Sequence, residues 1–598
     1  MRGPQDTRMR NGGHIRSRTK KKKIAFLTGA GRMRSLIAII FFVGALLVFR
    51  LYFIQVASHD KWVAIAENQH NAYQELIADR GEVYMRDGEG RYPLAVNREY
   101  SLAYVVPRDV IEKDHVALEL SRILGVDAAL IREKLALPDD PFEIIKKRLT
   151  DDEVRQIKEA RLEGVALIPE KYRYYPAGEL AAQVVGFASL GENGGAGGYG
   201  IEASQDSRLR GQSGGVSQEK DAAGRWIPLS DRDLVSATNG DNLVLTLDRV
   251  IQYETEKILR EAIELYAADG AAAIVMDPHT GAILAMASQP QFDPNEYSKV
   301  EDYSVFLNPA LSFSYEPGSI MKPITMAIGI EEGKVSPHTE YVDTGVVQEA
   351  GYAIRNSEDK VYGRSTMTTV LDQSINTGVI FVEKQVGNQI FKEYFERFGF
   401  GEKTGIALPA ELAGNTRNLK NTRSDIGFFT AAFGQGITVT PLQMTAAYAA
   451  LANGGTLYKP QIIERIIRAD GSEEKVAPQA VRRVLSVETS QAMGEMLRSV
   501  VVNGHGKRAD VPGYQVGGKT GTAQVAKSDT QGYADGLSIG SFVGYAPIND
   551  PRFVVLVKLD NPKNVEWAES SAAPAFGRIM KFLLEYAKIK PTEETTKK

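Results

Sequence analysis

A serine and a lysine stand three residues apart in Ser319-Ile-Met-Lys322. Residues three apart on a helix lie on the same face, about one turn from each other, so the amine of Lys322 can reach the hydroxyl of Ser319. A serine hydroxyl is a weak nucleophile until such a base takes its proton. Two further fragments follow in order, Ser374-Ile-Asn376 and Lys519-Thr-Gly521. Together they predict a serine acyltransferase.

The Ser-x-x-Lys pattern alone is weak, because it recurs in charged stretches at Ser17, Ser58, Ser217, Ser357 and Ser472. Ser319 differs in its context. It follows Glu316-Pro-Gly318, a turn and helix-start signal, and precedes an apolar run over 323–330 that can bury a helix. Lys-Thr-Gly also occurs twice, and Lys519 is favoured over Lys403 because its flanks are strand-like.

Composition limits the classes of function. A chain of 598 residues is long enough for two or more folded parts. The formal net charge of -4 gives no reason to expect nucleic-acid binding. The chain has no cysteine, and its seven histidines show no metal-ligand spacing, so we expect neither a metal nor another cofactor.

The N-terminal region has the pattern of a membrane anchor. Residues 1–34 are strongly basic and include the run Lys20 to Lys23, and residues 35–56 are mostly apolar, with an uninterrupted apolar run from Leu36 to Phe49 before Arg50. The stretch from Leu36 to Val56 would span roughly 31 Å as a helix, close to the hydrocarbon thickness of a bilayer. The basic flank predicts a cytoplasmic N-terminus, with the rest of the chain outside. A cleaved signal peptide is the alternative.

Beyond the anchor, the pattern predicts two parts. Residues 57–237 mix short strand-like runs with charged helical stretches. Residues 238–590 have strand-like segments at both ends and helices between, which favours an α+β fold. We expect the strand Asn242–Leu247 to begin this second part, with Asp248 as the N-cap of the next helix. The polar tail 591–598 is predicted to be disordered.

The three fragments and their surroundings resemble the class B penicillin-binding proteins, membrane-anchored transpeptidases that cross-link bacterial peptidoglycan. Six further segments look like parts of this family: Asp79–Val83, Arg173–Pro176, Gly200–Glu202, Met276–Gly281, Phe433–Gly436 and Phe542–Pro547. The resemblance implies a pedestal, or dimerisation-type, domain over 57–237 and a transpeptidase domain over 238–590, with an antiparallel sheet and helices.

The resemblance also implies roles for the site residues. Ser319 would attack the D-Ala-D-Ala end of a stem peptide to form an acyl-enzyme, and β-lactams would acylate the same hydroxyl. Lys322 must be neutral to act as the base, whereas a charged Lys519 would lower the pKa of Lys322 and bind the substrate carboxylate. Ser374 would relay a proton. The remaining implied contacts are the orienting amide of Asn376 and the substrate-binding residues Thr520, Gly521 and Thr522.

Several expectations concern the cellular role. The resemblance implies a separate membrane glycan polymerase as partner, and it favours the septal, cell-division subtype over the elongation subtype. The alternatives are a β-lactam sensor and a D-Ala-D-Ala carboxypeptidase or β-lactamase on the same fold. Glu411-Leu-Ala-Gly-Asn415 superficially resembles a deacylation motif but lies in a family-like loop. Residue 375 is isoleucine where many relatives carry serine.

Overall fold

The computed structural model describes residues 29–59, 71–137, 140, 142–189, 195–219, 232–420, 424–526, 532–565 and 567–591. The chain forms two compact units, one of residues 1–74 with 215–235 and one of residues 75–214 with 236–598. Most of the basic segment 1–34 and of the tail 591–598 lies outside the described residues.

The helices, in chain order, are α1 (Gly29–Tyr52), α2 (Lys113–Leu124), α3 (Ala128–Leu135), α4 (Asp151–Ala160), α5 (Ala182–Val185), α6 (Gly200–Ser204), α7 (Asp206–Leu209), α8 (Arg249–Tyr266), α9 (Pro309–Ser312), α10 (Lys322–Glu331), α11 (Met367–Asp372), α12 (Asn376–Val386), α13 (Asn388–Arg397), α14 (Ile426–Ala432), α15 (Pro441–Ala452), α16 (Val487–Val502) and α17 (Ala572–Tyr586).

The strands are β1 (Asn71–Leu76), β2 (Val83–Asp87), β3 (Gly90–Val105), β4 (Glu143–Leu149), β5 (Val165–Tyr174), β6 (Gly214–Glu219), β7 (Arg232–Val235), β8 (Asn242–Asp248), β9 (Gly270–Met276), β10 (Ile283–Gln289), β11 (Glu340–Asp343), β12 (Val346–Glu349), β13 (Tyr352–Arg355), β14 (Gly363–Thr366), β15 (Thr456–Tyr458), β16 (Ile463–Ile467), β17 (Glu473–Lys475), β18 (Ala480–Arg483), β19 (Gly517–Ala526), β20 (Tyr533–Ala546) and β21 (Phe553–Asp560).

The first unit contains the apolar helix and a small sheet. Helix α1 continues through a π-helical turn, and the segment Met33–Ala57 is long and apolar enough to cross a membrane. Strands β1, β6 and β7 form a three-stranded sheet in that order. The predicted anchor therefore coincides with a continuous helix in the structure.

The second unit is built on a five-stranded antiparallel sheet with the order β10-β9-β21-β20-β19. Helices α8 and α17 pack on it through a buried cluster that includes Ile251, Leu259, Phe542 and Phe576. The buried helix α15 packs against the same strands within a second cluster. Distant segments thus supply the strands and cover the sheet, which is the predicted α+β arrangement.

A second sheet in this unit has the order β17-β16-β8-β2-β3-β4, with β5 paired to β3. Strand β8, the predicted beginning of the catalytic part, pairs in parallel with β2 and antiparallel with β16. It therefore belongs to the sheet that also contains residues before 238, and not to the five-stranded sheet. The local pattern predicts the strand correctly, but its pairing depends on residues far away in sequence.

Three of the family-like segments meet in one buried ion cluster of the second unit. Glu202 accepts hydrogen bonds from Nε of Arg80 at 2.7 Å and from Nε of Arg173 at 2.6 Å. All three side chains are almost fully buried. Removing one partner would leave an uncompensated buried charge, so this cluster has a structural role.

Candidate active site

Ser319 lies in a 3₁₀ turn, Gly318–Met321, that leads directly into α10. Gly318 has a positive φ of 57°, and its N–H donates to the carbonyl of Gly434 at 3.0 Å. The hydroxyl of Tyr448 donates to the carbonyl of Ile320 at 2.8 Å. A backbone conformation that favours glycine and two hydrogen bonds with distant segments thus fix the turn that carries Ser319.

Ser374 lies in the connection between α11 and α12. Its φ is 56°, in the left-handed region that a non-glycine residue rarely adopts. The amide of Ile375 donates to the carbonyl of Val370 at 2.9 Å, and the side chain of Ile375 is fully buried in the core. The side chain of Ile375 therefore points into the core and away from the hydroxyl of Ser374.

Lys519 lies on β19, one of the two edge strands of the five-stranded sheet. Gly521 lets this strand approach the nucleophile turn, because a Cβ there would lie 2.8 Å from the carbonyl oxygen of Pro317 and 3.0 Å from Cγ2 of Ile320. The resemblance implies a substrate-binding role for Gly521, and the structure gives it this close-packing role in addition.

The hydroxyl of Ser374 joins the two lysines. Nζ of Lys519 donates to Oγ of Ser374 at 3.0 Å, and Nζ of Lys322 donates to the same oxygen at 3.2 Å. Nζ of Lys322 also donates to the carbonyl oxygen of Ser374. Both side chains are fully buried. The two hydrogen bonds of Lys322 among the described residues therefore go to Ser374 and not to Ser319.

The electrostatic surroundings of the two lysines differ. Burial lowers the pKa of Lys322 well below its ordinary value, and the charge of Lys519 lowers it further. Burial lowers the pKa of Lys519 to about 7, although Asp372 and Glu569 act in the opposite direction. Both causes favour the neutral form of Lys322, whereas Lys519 is divided between its charged and neutral forms near pH 7. The resemblance implies a charged Lys519, and a bound carboxylate would favour that form.

A cavity of about 240 Å³ opens over this cluster. Its lining includes the predicted residues Ser319, Ser374, Thr520 and Thr522. It also includes residues that the sequence did not assign to the site, among them both ends of the Ser-x-x-Lys copy at Ser357: Ser357, Glu358, Lys360, Tyr362, Gln373, His505, Trp567 and Glu569. Polar, charged and aromatic groups thus surround the hydroxyl of Ser319, as a peptide-binding cleft requires.

Asn376 makes a contact that differs from the predicted one with Lys322, while Thr522 and Lys519 make further contacts beside the cavity. The amide of Asn376 donates to the carbonyl of Arg355 at 2.9 Å, so it secures the end of β13 and not Lys322. The hydroxyl of Thr522 accepts from the backbone N–H of Ala568 at 3.2 Å. Nζ of Lys519 donates to the carbonyl of Thr520 at 3.3 Å. Asn376 begins α12, and this position turns its side chain towards β13.

Two of the rejected fragments, at Lys403 and Glu411, fold together in another loop. Glu411 accepts from the backbone N–H groups of Thr404 and Gly405 at 2.7 and 3.0 Å, so its carboxylate closes the loop that contains Lys403. The Lys-Thr-Gly sequence at Lys403 and the Glu-x-x-x-Asn sequence at Glu411 therefore belong to one loop and stabilise it together. This arrangement agrees with the choice of Lys519 and does not support a β-lactamase.

Two family models match the chain. The penicillin binding protein transpeptidase domain matches residues 271–581, and the penicillin-binding protein dimerisation domain matches residues 75–245. Stage V sporulation protein D of Bacillus subtilis is 34% identical, over 95% of this chain and 88% of the relative. Peptidoglycan D,D-transpeptidase FtsI of Escherichia coli is 29% identical, over 92% of this chain and 91% of the relative.

A solved structure is also similar. Penicillin binding protein 3 of Mycobacterium tuberculosis, complexed with aztreonam, superposes with a TM-score of 0.67 at 29% identity. The match covers 87% of this chain and 98% of that chain.

Proposed function

The chain belongs to the class B penicillin-binding proteins, and from this premise we propose that Ser319 is the nucleophile of its peptidoglycan D,D-transpeptidase reaction. The predicted family, the α+β fold and the transpeptidase activity are confirmed by the two family models and the full-length relatives. The proposal for Ser319 rests on one observation. Two buried lysines share the Ser374 hydroxyl, and that hydroxyl and Ser319 line one cavity.

In the proposed acylation, Oγ of Ser319 attacks the carbonyl between the two terminal D-alanines of a stem peptide. Its proton passes to the lone pair of neutral Lys322, whose N–H groups are held by Ser374. The C–N bond then breaks, and the departing amine of D-alanine takes a proton from the Ser374 hydroxyl, which Lys322 replaces. The amine of a neighbouring stem peptide reverses these proton transfers and forms the cross-link.

Lys519 has a different proposed role, because charged Lys519 would bind the terminal carboxylate of the donor together with Thr520 and Thr522. A β-lactam carries a comparable carboxylate and would acylate Ser319 in the same way. We propose that Asn376 acts through the β13 end that it holds and not through Lys322.

Labelling with a fluorescent penicillin tests the nucleophile. We expect wild type to be labelled covalently and Ser319→Ala to lose the label. Ser357→Ala is the matched control, because Ser357 lines the same cavity and begins another Ser-x-x-Lys sequence. The assignment is wrong if Ser319→Ala retains the label or if Ser357→Ala abolishes it.

We also propose that the helix Met33–Ala57 anchors the enzyme with its N-terminus in the cytoplasm. The basic run Lys20 to Lys23 precedes this helix, which favours that orientation. The chain has no cysteine, so single introduced cysteines report topology cleanly. A membrane-impermeant maleimide should label Glu301→Cys on spheroplasts, and Lys22→Cys only after permeabilisation. The reverse pattern would refute the orientation.

The division of the chain at residue 238, between a pedestal domain (57–237) and a transpeptidase domain (238–590), stays a proposal. The ranges matched by the two family models, 75–245 and 271–581, support a division of the chain in this region. A septal role and a membrane glycan polymerase as partner also stay proposals, and the similarity to FtsI of Escherichia coli favours the first. Imaging of a fluorescent fusion tests the role: enrichment at division sites supports it, and an even distribution along the cell contradicts it.

A further inference from the structure

Asp372 is the last residue of α11 and stands two residues before Ser374. Its side chain is buried, and Oδ2 accepts a hydrogen bond from the hydroxyl of Ser499 at 2.9 Å. The amide of Asn503 donates to that same hydroxyl oxygen at 3.1 Å, so the Ser499 proton is directed to Asp372. Helix α16, which carries Ser499, packs against both α11 and β19. The carboxylate is therefore fixed beside the strand of Lys519.

The backbone at Asp372 is held as firmly as its side chain. The N–H of His505 donates to the carbonyl of Asp372 at 3.3 Å. A Cβ at Gly504 would lie 2.4 Å from that carbonyl oxygen, so the turn after α16 lies directly on the end of α11. Two connections, one through the side chain and one through the backbone, thus set the position of this carboxylate.

One oxygen of this carboxylate is not used. Oδ1 of Asp372 is buried and has no hydrogen-bond partner among the residues that the structure describes. A buried carboxylate oxygen without a donor is costly unless a nearby positive charge compensates for it. Burial raises the pKa of Asp372, whereas the hydrogen bond from Ser499 and the positive charge of Lys519 act in the opposite direction and favour the ionised carboxylate.

The charges around the two lysines are distributed unequally. Asp372 and Glu569 both favour the charged form of Lys519. Oε2 of Glu569 also lies 3.2 Å from Nδ1 of His505, within hydrogen-bond distance. The charge that acts on Lys322 is the positive charge of Lys519. A proton placed on this pair is therefore more stable on Lys519.

We propose that Asp372 is a positioning residue for acyl transfer: its negative charge keeps the proton of the lysine pair on Lys519, so that Lys322 stays uncharged and basic. The inference rests on the proposed function, because it assumes that Lys322 accepts the proton of Ser319. Asp372 itself touches neither Ser319 nor the expected position of the substrate carbonyl. It acts through Lys519.

The test is the pH profile of acylation by a fluorescent penicillin, measured with the full-length protein. The second-order rate constant reports the free enzyme, so its acidic limb should reflect Lys322 and its alkaline limb Lys519. In Asp372→Asn we expect the alkaline limb to move down by roughly one pH unit, because Lys519 loses an opposite charge. The acidic limb should move up, since a less charged Lys519 repels the proton on Lys322 less. The pH range over which acylation is fast therefore narrows at both its acidic and its alkaline end.

Two further variants separate charge from shape. Asp372→Glu keeps the charge, and its alkaline limb should return towards that of wild type. Asp470→Asn removes an exposed carboxylate in the turn after β16 and should leave the profile unchanged. Rates are normalised to the fraction of protein that is finally labelled, which removes any loss caused by misfolding.

The inference is overturned if the normalised profile of Asp372→Asn superimposes on that of wild type, or if Asp372→Glu shifts as far as Asp372→Asn. Ser319→Ala is assayed in parallel. If it is still labelled, the proposed nucleophile has failed. If it is not labelled and the Asp372→Asn profile is unshifted, only the role of Asp372 has failed.

Discussion

Glu383 allows a quantitative prediction about stability. It lies in α12, the helix that begins two residues after Ser374, and its side chain is fully buried. Both carboxyl oxygens are without a hydrogen-bond partner among the described residues. Burial, reinforced by the charge of Asp425, raises the pKa of Glu383 to about 8. The carboxyl is therefore protonated and neutral in the folded protein at pH 7.

The pH dependence follows from the difference between the folded and unfolded states. Below pH 4.5, both states hold the proton and the free energy of unfolding does not depend on this group. Between pH 4.5 and 8, the unfolded chain releases the proton while the folded chain retains it. Folding then loses stability by ~1.4 kcal/mol per pH unit, which is about 3 kcal/mol at pH 7. Above pH 8, the penalty is constant.

Glu383→Gln replaces the protonated acid with a neutral group of similar shape and removes this dependence. At pH 5 we expect the variant and wild type to have similar melting temperatures, because little of the penalty is present there. At pH 8 the variant should melt at least ~5 °C higher, since 1 kcal/mol corresponds to roughly 2–4 °C in domains of 150–250 residues and to less in a larger domain such as this one.

The assay is a thermal melt of both proteins at half-unit steps from pH 5 to pH 8.5. Glu393→Gln is the matched control, because Glu393 is exposed on the adjacent helix α13, and its melting difference from wild type should not vary with pH. The reasoning is refuted if the difference between Glu383→Gln and wild type is constant over this range, or if it grows towards acidic pH.

Two other predictions concern the site. Lys322→Met should lower the first-order rate of acylation by roughly 10²–10⁴-fold, because the base is lost. Lys519→Met should mainly weaken penicillin binding, by roughly 10–100-fold. Stopped-flow labelling over a range of penicillin concentrations measures binding and acylation separately, and variants that affect both steps equally would contradict the division of roles. Gly521→Ala should lower the free energy of unfolding by about 1–3 kcal/mol and slow labelling, because the added Cβ would press β19 against the carbonyl of Pro317. Gly90→Ala on β3 is the control. A Gly521→Ala variant that melts and is labelled like this control would contradict the close-packing argument.

The sequence is sufficient to predict those site residues whose relation depends on local structure or on the order of short motifs. Ser319 and Lys322 are related by a helical turn, and the order of the three fragments is enough to identify Ser374 and Lys519. Most strands of the five-stranded sheet are predictable for the same reason, because short apolar runs between turn signals depend on neighbouring residues.

Long-range contacts cannot be predicted in this way. The sheet that receives β8 is decided by β2 and β16, which are distant in sequence. The resemblance directs Asn376 to Lys322, but the carbonyl at the end of β13 takes its amide. Glu569 lies fifty residues after Lys519 without a motif to mark it, and Asp372 lies two residues before Ser374 but outside the Ser-Ile-Asn fragment.

The backbone conformation of Ser374 positions its hydroxyl and its carbonyl, and the neighbouring residues determine that conformation. A left-handed backbone presents the carbonyl and the hydroxyl of one residue to Lys322, while the same hydroxyl also meets Lys519. The separation of the two amines is therefore set by the backbone of this turn and not by a flexible side chain alone. Such a conformation persists only where the surroundings determine it, here the core position of Ile375 and the anchored end of α11. The turn holds the two lysines close together in a buried position, so that burial and the charge of Lys519 both lower the pKa of Lys322.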